Sequence, residues 1–308
     1  VVRVNPAPGR SQASGFIALA ALLLGALSIA TAGIFVRLSQ TGPTATAFWR
    51  AALALPFLAV WALLERRARS GPVVAAAGGA RGFDARFALA GFFFAGDLYF
   101  WHWSLLETSV AAATLEANLA PIFVTLAAWW FYRERPSRQF TAALLLAFTG
   151  VVLVVSPKLS LQSSATTSLN GDLMGVITAV FYAGYIVVVS RLRERRGTGA
   201  VMLWTTLIVA LLLLPIALTQ KFQPDTSSGW WLLLGLAVLA QVLGQGLIAF
   251  ALAHLPATFS SVALYLQPVA AAAYARWWLG ESLAMIQVVG GIIVLAAIAA
   301  ARSATRSR

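Results

Sequence analysis

The chain has no cysteine among its 308 residues, which excludes a disulfide-stapled fold and any thiolate metal site. Charge is almost as scarce. Asp, Glu, Lys and Arg together make up 10% of the residues, where a soluble domain carries about a quarter. There are two histidines, His102 and His254, too far apart for a metal-ligating pair on one helix. No phosphate-cradling glycine loop, nucleophile elbow or nucleotide-binding domain can be read. Enzyme chemistry, direct ATP drive and a bound cofactor are therefore not expected. Acidic residues are few, 10 against 22 Lys and Arg, leaving a formal charge of +12. That surplus does not describe a nucleic-acid surface. The basic residues fall in short clusters between apolar runs, and no aromatic-basic motif of an RNA or DNA binder accompanies them.

What the chain has in abundance is apolar length. Hydrophobic residues make up 60% of it, and they gather into runs long enough to cross a bilayer, which takes about 20 residues. In lipid only helices or closed barrels satisfy their own backbone groups, so these runs predict an all-α membrane protein. Ten transmembrane helices are expected, at 15–37, 44–64, 86–106, 109–132, 137–155, 171–190, 199–219, 229–252, 257–279 and 283–301. The first run, from Gly15 to Val36, follows Arg3 and Arg10 and contains Ala30-Thr31-Ala32, which looks like a signal-peptidase site. It exceeds the ~7–15 residues of a signal core and is read as an uncleaved first helix. With the N-terminus inside, the connections alternate so that seventeen of the 22 basic residues, including Arg66, Arg67, Arg69, Arg81 and Arg191, fall on the cytoplasmic side. Four fall outside and Arg50 lies within a span. The positive-inside rule then places both termini in the cytoplasm of a multi-pass inner (plasma) membrane protein.

One stretch is written twice. LEANLAPIFVTLAAWWFYRER, residues 115–135, is echoed by VALYLQPVAAAAYARWWLGE, residues 262–281. Pro121 aligns with Pro268, Asn118 with Tyr265, Thr114 with Ser261 and Glu134 with Glu281, and an aromatic pair precedes each Glu. The shift makes each copy the fourth span of a five-span half. An odd number of spans inserts the second half upside down, giving two inverted five-helix repeats, 15–155 and 171–301. They are joined by the Ser/Thr-rich linker 156–170 and enclose a central cavity at mid-membrane.

These residues carry a resemblance to the drug/metabolite transporter superfamily, and within it to the ten-helix EamA-type exporters. The family pattern is a helix with a mid-span proline that ends in aromatic residues and a Glu, here "LAPIFVTLAAWWFYRERPS" and "LQPVAAAAYARWWLGESLA". The chain departs from it at Arg133, where Gly is usual, and at Asn118 and Tyr265. Its aromatic density is most like YddG-type exporters of aromatic amino acids. The resemblance implies a carrier that moves amino acids or related metabolites out of the cell.

The residues themselves suggest where the cargo would bind. Thr114, Asn118, Pro121 and Thr125 share one helical face, and Ser261, Tyr265 and Pro268 repeat it. Each proline frees the carbonyl four residues earlier, Ala117 and Leu264, and kinks its helix; the bland alternative is a kink for packing alone. Gln241 and Gln245 would be costly facing lipid, so they point inward, as cavity lining or as interhelical bonds. Tyr99 and Trp101 could form an aromatic wall or belong to the interfacial belt, which is the simpler reading of Trp129, Trp130, Trp230, Trp231, Trp277 and Trp278. Thr31 aligns with Tyr182, and Tyr185 stands beside it. Intramembrane ionisable groups are functional candidates by default: Asp97, His102 and Glu116 as proton-coupling groups, and Arg50 as a carboxylate clamp, an ion-pair partner or a snorkelling side chain. The resulting expectation is a monomeric secondary transporter exporting aromatic and other neutral amino acids by alternating access. Its partners would be the small-molecule cargo and the bilayer. Drug-like cations or nucleosides are the alternative cargo, and a lipid-modifying membrane enzyme is the alternative class. Proton antiport and facilitated diffusion both remain open.

Overall fold

The computed structural model describes residues 12–68, 84–107, 110–162, 169–279 and 283–306. Arg3, Arg10, Arg69 and Arg81, the middle of the expected linker (163–168) and Glu281 lie outside them. The described residues are helices joined by short turns, without a strand. In chain order the helices are α1 Gln12–Ala30, α2 Ala32–Leu38, α3 Pro43–Ala52, α4 Leu55–Ala68, α5 Ala85–Glu107, α6 Val110–Ala117, α7 Ala120–Tyr132, α8 Arg138–Gln162 and α9 Leu169–Arg193. They continue as α10 Thr198–Ala217, α11 Ser227–Gly235, a π-helical segment π1 Leu236–Gln245, α12 Gly246–Ala251, α13 Ala257–Ala263, α14 Leu266–Leu279 and α15 Met285–Arg306.

Seven stretches among the described residues are apolar and long enough to cross a membrane: Ser14–Leu38, Pro43–Ala68, Arg138–Pro157, Leu169–Arg193, Thr198–Ala217, Ser227–Ala251 and Met285–Thr305. The helical stretches 85–107, 110–132 and 257–279 do not join that set. They carry polar groups within the run: Asp97 and His102; Glu116 and Asn118; Ser260, Ser261 and Gln267. These less apolar stretches supply much of the functional surface described below.

Proline explains three of the interruptions. Its ring clashes with the carbonyl four residues back and it has no N–H to give, so the turn before it tightens. α3 gives way to α4 just before Pro56, α6 to α7 just before Pro121, and α13 to α14 just before Pro268. Tight i to i−3 bonds bridge the gaps, such as Leu119 N to Glu116 O at 2.9 Å and Leu264 N to Ser261 O at 3.1 Å. The carbonyl freed by Pro268 does not wait for a ligand: Leu264 O accepts from Gln267 N at 2.9 Å. Pro157 and Pro215, by contrast, lie inside continuous helices. The break between α1 and α2 falls at Thr31, whose hydroxyl donates to Ser28 O at 2.7 Å.

The helices pack in a consistent set of pairs. α8 lies along α15, α9 along α5, α10 against α3 and α4, α1 against π1 and α12, and α7 against α13. α8 and α15 meet backbone to backbone. A Cβ added at Gly150 would come within 2.8 Å of Gly290 O, and one at Gly290 within 2.7 Å of Gly150 O. Small residues at a crossing let membrane helices approach closely enough to gain dispersion contact that lipid does not offer.

Helix ends are tied across the bundle. The Glu65 carboxylate at the end of α4 accepts from Thr198 N (3.0 Å) and Gly199 N (2.6 Å), the first amides of α10. At the opposite face Gln220 Oε1, just past α10, accepts from Thr44 N (2.9 Å) and Ala45 N (3.3 Å) at the start of α3. Gln40, past α2, accepts from Asp225 N and Thr226 N ahead of α11. Arg196, past α9, pairs at 3.7 Å with Asp84 ahead of α5. Arg193, at the end of α9 and beyond the expected span 171–190, is buried, donating through Nε to Ala249 O at 2.9 Å. Trp129, Trp130, Trp231 and Trp277 are exposed on the outside of the bundle. The Trp230 ring packs edge-on against Trp49 at 4.8 Å.

Candidate functional site

A cavity of about 150 Å³ lies among the interrupted helices. Its wall draws on α1 and α2 (Ile29, Ala30, Ala32, Gly33), α3 (Arg50), α5 (Asp97, Leu98, Trp101) and the α6–α7 break (Thr114, Asn118, Pro121). The remaining wall comes from α9 (Thr178, Tyr182, Ile186), π1 (Gln245) and the α13–α14 break (Ser261, Leu264, Gln267, Pro268). Both proline breaks therefore converge on one space. The α6–α7 break is closed locally: Asn118 donates its amide to Thr114 O at 2.6 Å, and Thr125 donates to Pro121 O at 2.8 Å.

Arg50 and Asp97 are the charged residues in this wall among the described residues. Both are nearly closed off from solvent, at 3% and 8% exposure. Arg50 Nε donates to Gln241 Oε1 at 3.1 Å, and Gln241 Nε2 donates to Thr206 Oγ1 at 3.0 Å. The guanidinium carbon stands 5.8 Å from the Phe94 ring centroid, and Phe94 in turn stacks on Tyr185 with centroids 4.5 Å apart. Elsewhere in the wall Tyr182 Oη, Gln245 Oε1 and Gln267 Nε2 are buried without a hydrogen-bond partner among the described residues.

From the residues singled out by sequence the cavity gathers Arg50, Asp97, Trp101, Thr114, Asn118, Pro121, Tyr182, Gln245, Ser261 and Pro268. The others do not line it. Thr31 lies at the wall's edge with its hydroxyl turned back on α1. Gln241 is wholly buried one step behind the wall, where it holds Arg50. Tyr185 faces α5 and α10 and donates to Met202 Sδ at 3.7 Å. Tyr99 packs on Phe100 and Trp103. Tyr265 is fully buried beside Phe148, its hydroxyl without a partner. His102 donates from Nδ1 to Leu98 O at 2.6 Å and packs edge-on against Trp101, leaving Nε2 buried and unpartnered. Glu116 points to α9, where its Oε2 occupies the space that a Cβ at Gly175 would need.

The EamA-like transporter family matches the chain twice, over residues 16–156 and 169–302. The chain belongs to that family. Its relatives bear transporter names. Over 211 residues, 68% of this chain and 72% of the relative, it is 28% identical to the pseudopaline exporter CntI of Pseudomonas aeruginosa. Over 289 residues, 90% and 95% of the two chains, it is 27% identical to an uncharacterized transporter of Archaeoglobus fulgidus. A riboflavin transporter of Vibrio cholerae is 26% identical over 140 residues, 46% of this chain and 45% of its own. A solved crystal structure at 18% identity matches with a TM-score of 0.74, covering 94% of this chain and 98% of that one, a likeness of fold.

As an EamA-like transporter the chain is a multi-pass membrane protein that handles a small molecule, and its cavity shows residues the sequence reading passed over. Thr178 stands four residues before Tyr182, with Ile186 four beyond, so the three share a face. Gln267 is a polar residue inside an apolar run immediately before a proline, a signal that was available. Thr206 orients Gln241 from α10; a lone threonine in a span carries no such signal, because it usually bonds its own backbone.

Proposed function

We propose that this EamA-like chain is a secondary carrier that exports amino acids, aromatic and other neutral, or related small metabolites across the inner membrane by alternating access. The observation that carries the reading is the meeting of two proline-interrupted helices, one from each matched half, on a single cavity whose largely apolar wall carries Arg50, Asp97, Asn118 and Gln245. A half-helix end and its loosened backbone are what a carrier uses to meet cargo at mid-membrane.

The packing pairs support two inverted five-helix repeats within ten spans. If the first span corresponds to the sixth and the third to the eighth, exchanging the halves turns the α1 contact with π1 and α12 into the α9 contact with α5. It leaves the α10 contact with α3–α4, the α8 contact with α15 and the α7 contact with α13 each mapped onto itself. The end ties obey the same exchange: Glu65 answers Gln220, and Arg196 answers Gln40. The charge count supports both termini in the cytoplasm, with 156–170 outside. A cavity that mixes Trp101, Tyr182, Asn118 and Gln245 suits a small amphiphile, and about 150 Å³ is the size that accommodates a benzene-sized molecule. The relatives that bear the names pseudopaline exporter and riboflavin transporter are consistent with metabolite cargo. Asp97, His102 and Glu116 remain the candidates for proton coupling.

Counterflow tests the reading. Purified protein in vesicles preloaded with unlabelled amino acids should accumulate labelled amino acid transiently and saturably. Uptake no greater than into empty vesicles, for every amino acid tried, contradicts it.

A further inference from the structure

Arg50 is buried, yet among the described residues only one of its five N–H donors finds an acceptor, Nε on Gln241. The Phe94 ring lies beside the guanidinium. Gln241 is itself oriented by Thr206, and Phe94 by its stacking on Tyr185. The side chain is thus held by one edge, and the edge formed by its two Nη atoms is left over. That edge is the fork that meets a carboxylate with two parallel hydrogen bonds.

Asp97 presents the complementary half. It lines the same cavity, yet the two side chains are not in ion-pair contact. Asp97 has no hydrogen-bond partner among the described residues. Two opposite charges at membrane depth that leave each other's valences open cost a great deal of desolvation. Such an arrangement persists where water or a ligand completes it. The rest of the wall is uncharged, so the cavity as a whole is neutral and bipolar.

We infer that Arg50 and Asp97 are the two poles of a zwitterion site: the Nη edge of Arg50 takes the carboxylate, and the Asp97 carboxylate takes the ammonium, of one cargo molecule. The inference rests on the reading of the chain as an amino-acid carrier and narrows it. A cargo that is only cationic meets Arg50 unpaired, and one that is only anionic meets Asp97 unpaired. Drug-like cations and phosphorylated metabolites are disfavoured on that ground, as are uncharged nucleosides, which leave both poles without a partner. Gln241 and Thr206 act as positioning residues for the Arg50 pole.

The test uses competition in counterflow. With the wild-type protein, an amino acid that is exchanged should be compared with its methyl ester, which lacks the carboxylate, and its N-acetyl derivative, which lacks the ammonium. Each should compete about tenfold or more weakly than the parent, the loss expected for one charge-assisted hydrogen bond. Asp97→Asn should then weaken the parent amino acid while losing its discrimination against the N-acetyl derivative. Arg50→Gln should do the same for the methyl ester. Either derivative competing as well as the parent in the wild type overturns the assignment without any variant, as does unchanged discrimination in folded variants, and both results leave the carrier reading standing. Exchange of no zwitterion at all overturns the amino-acid reading and this inference together.

Discussion

Glu65 and Gln220 hold the first turns of each other's helices. Glu65 ends α4 and caps α10; Gln220 follows α10 and caps α3. Each cap lies against a glycine with extended backbone, Gly197 and Gly42. A Cβ there would come within 2.7 Å of Glu65 Oε2 and 2.5 Å of Gln220 Oε1. The glycines leave the space that the borrowed caps fill, and the caps satisfy amides that no helix can satisfy for itself.

Removing either cap should therefore cost stability without touching the cavity. Glu65→Ala and Gln220→Ala are each expected to cost about 1–2 kcal/mol. The double variant should lose close to the sum, because the two caps stand at opposite ends of α10. Thermal unfolding in detergent measures this, with cargo affinity of the folded fraction unchanged.

The crossing of α8 and α15 offers a sharper steric test. Even one methyl group at Gly150 or Gly290 would press on the facing carbonyl. Gly150→Ala and Gly290→Ala should each cost about 1–3 kcal/mol, the range for overpacking a close contact, and leucine at either position should abolish monodisperse purification. Free tolerance of leucine would show that the helices do not meet there.

The two proline breaks predict the opposite separation. Pro121→Ala and Pro268→Ala restore an N–H and let α6 run into α7, or α13 into α14. The chain should fold as well as before or better, while counterflow falls by about tenfold or more as the cavity wall straightens. The check is melting temperature and exchange measured on the same preparation. Lost stability with normal exchange per folded molecule would make the breaks a packing device alone.

Behind the cavity, Gln241→Leu removes the acceptor for Arg50 Nε without altering any group that touches cargo. Cargo affinity should drop by about tenfold, since a charged donor is left without its partner, and Thr206→Val should give a smaller loss in the same direction. Gln241→Glu keeps an acceptor for Nε and should retain more affinity than the leucine variant. Competition binding reads all three.

The polar residues of the spans were visible in the chain itself, and so were the interruptions at Pro121 and Pro268, because a missing N–H acts on its own turn. Pro157 and Pro215 nevertheless leave their helices unbroken. Rotation about each helix was not visible. Tyr182 and Tyr185 are three residues apart, about 60° around a helix. Which of them faces the cavity is decided by the stacking of Tyr185 on Phe94 from α5. Gln241 and Gln245 look equivalent at a spacing of four, but they fall on the π-helical segment Leu236–Gln245. Gln241 is drawn behind the wall by its bonds to Arg50 and Thr206, while Gln245 stays in it. Glu116 turns toward α9 because Gly175 leaves room there. The caps were illegible for a different reason: Glu65 and Gly199 are 134 residues apart, and nothing local to either marks the other as its partner.

The natural absence of cysteine makes the most direct test of alternating access straightforward. Thr114 and Ser261 line the cavity from its two halves and can be replaced singly by cysteine, then challenged with a membrane-impermeant thiol reagent from either side of oriented vesicles. The account predicts that each cysteine is modified from both sides in turn, and that exchangeable amino acid slows the modification. Modification from one side alone, indifferent to amino acid, would contradict it.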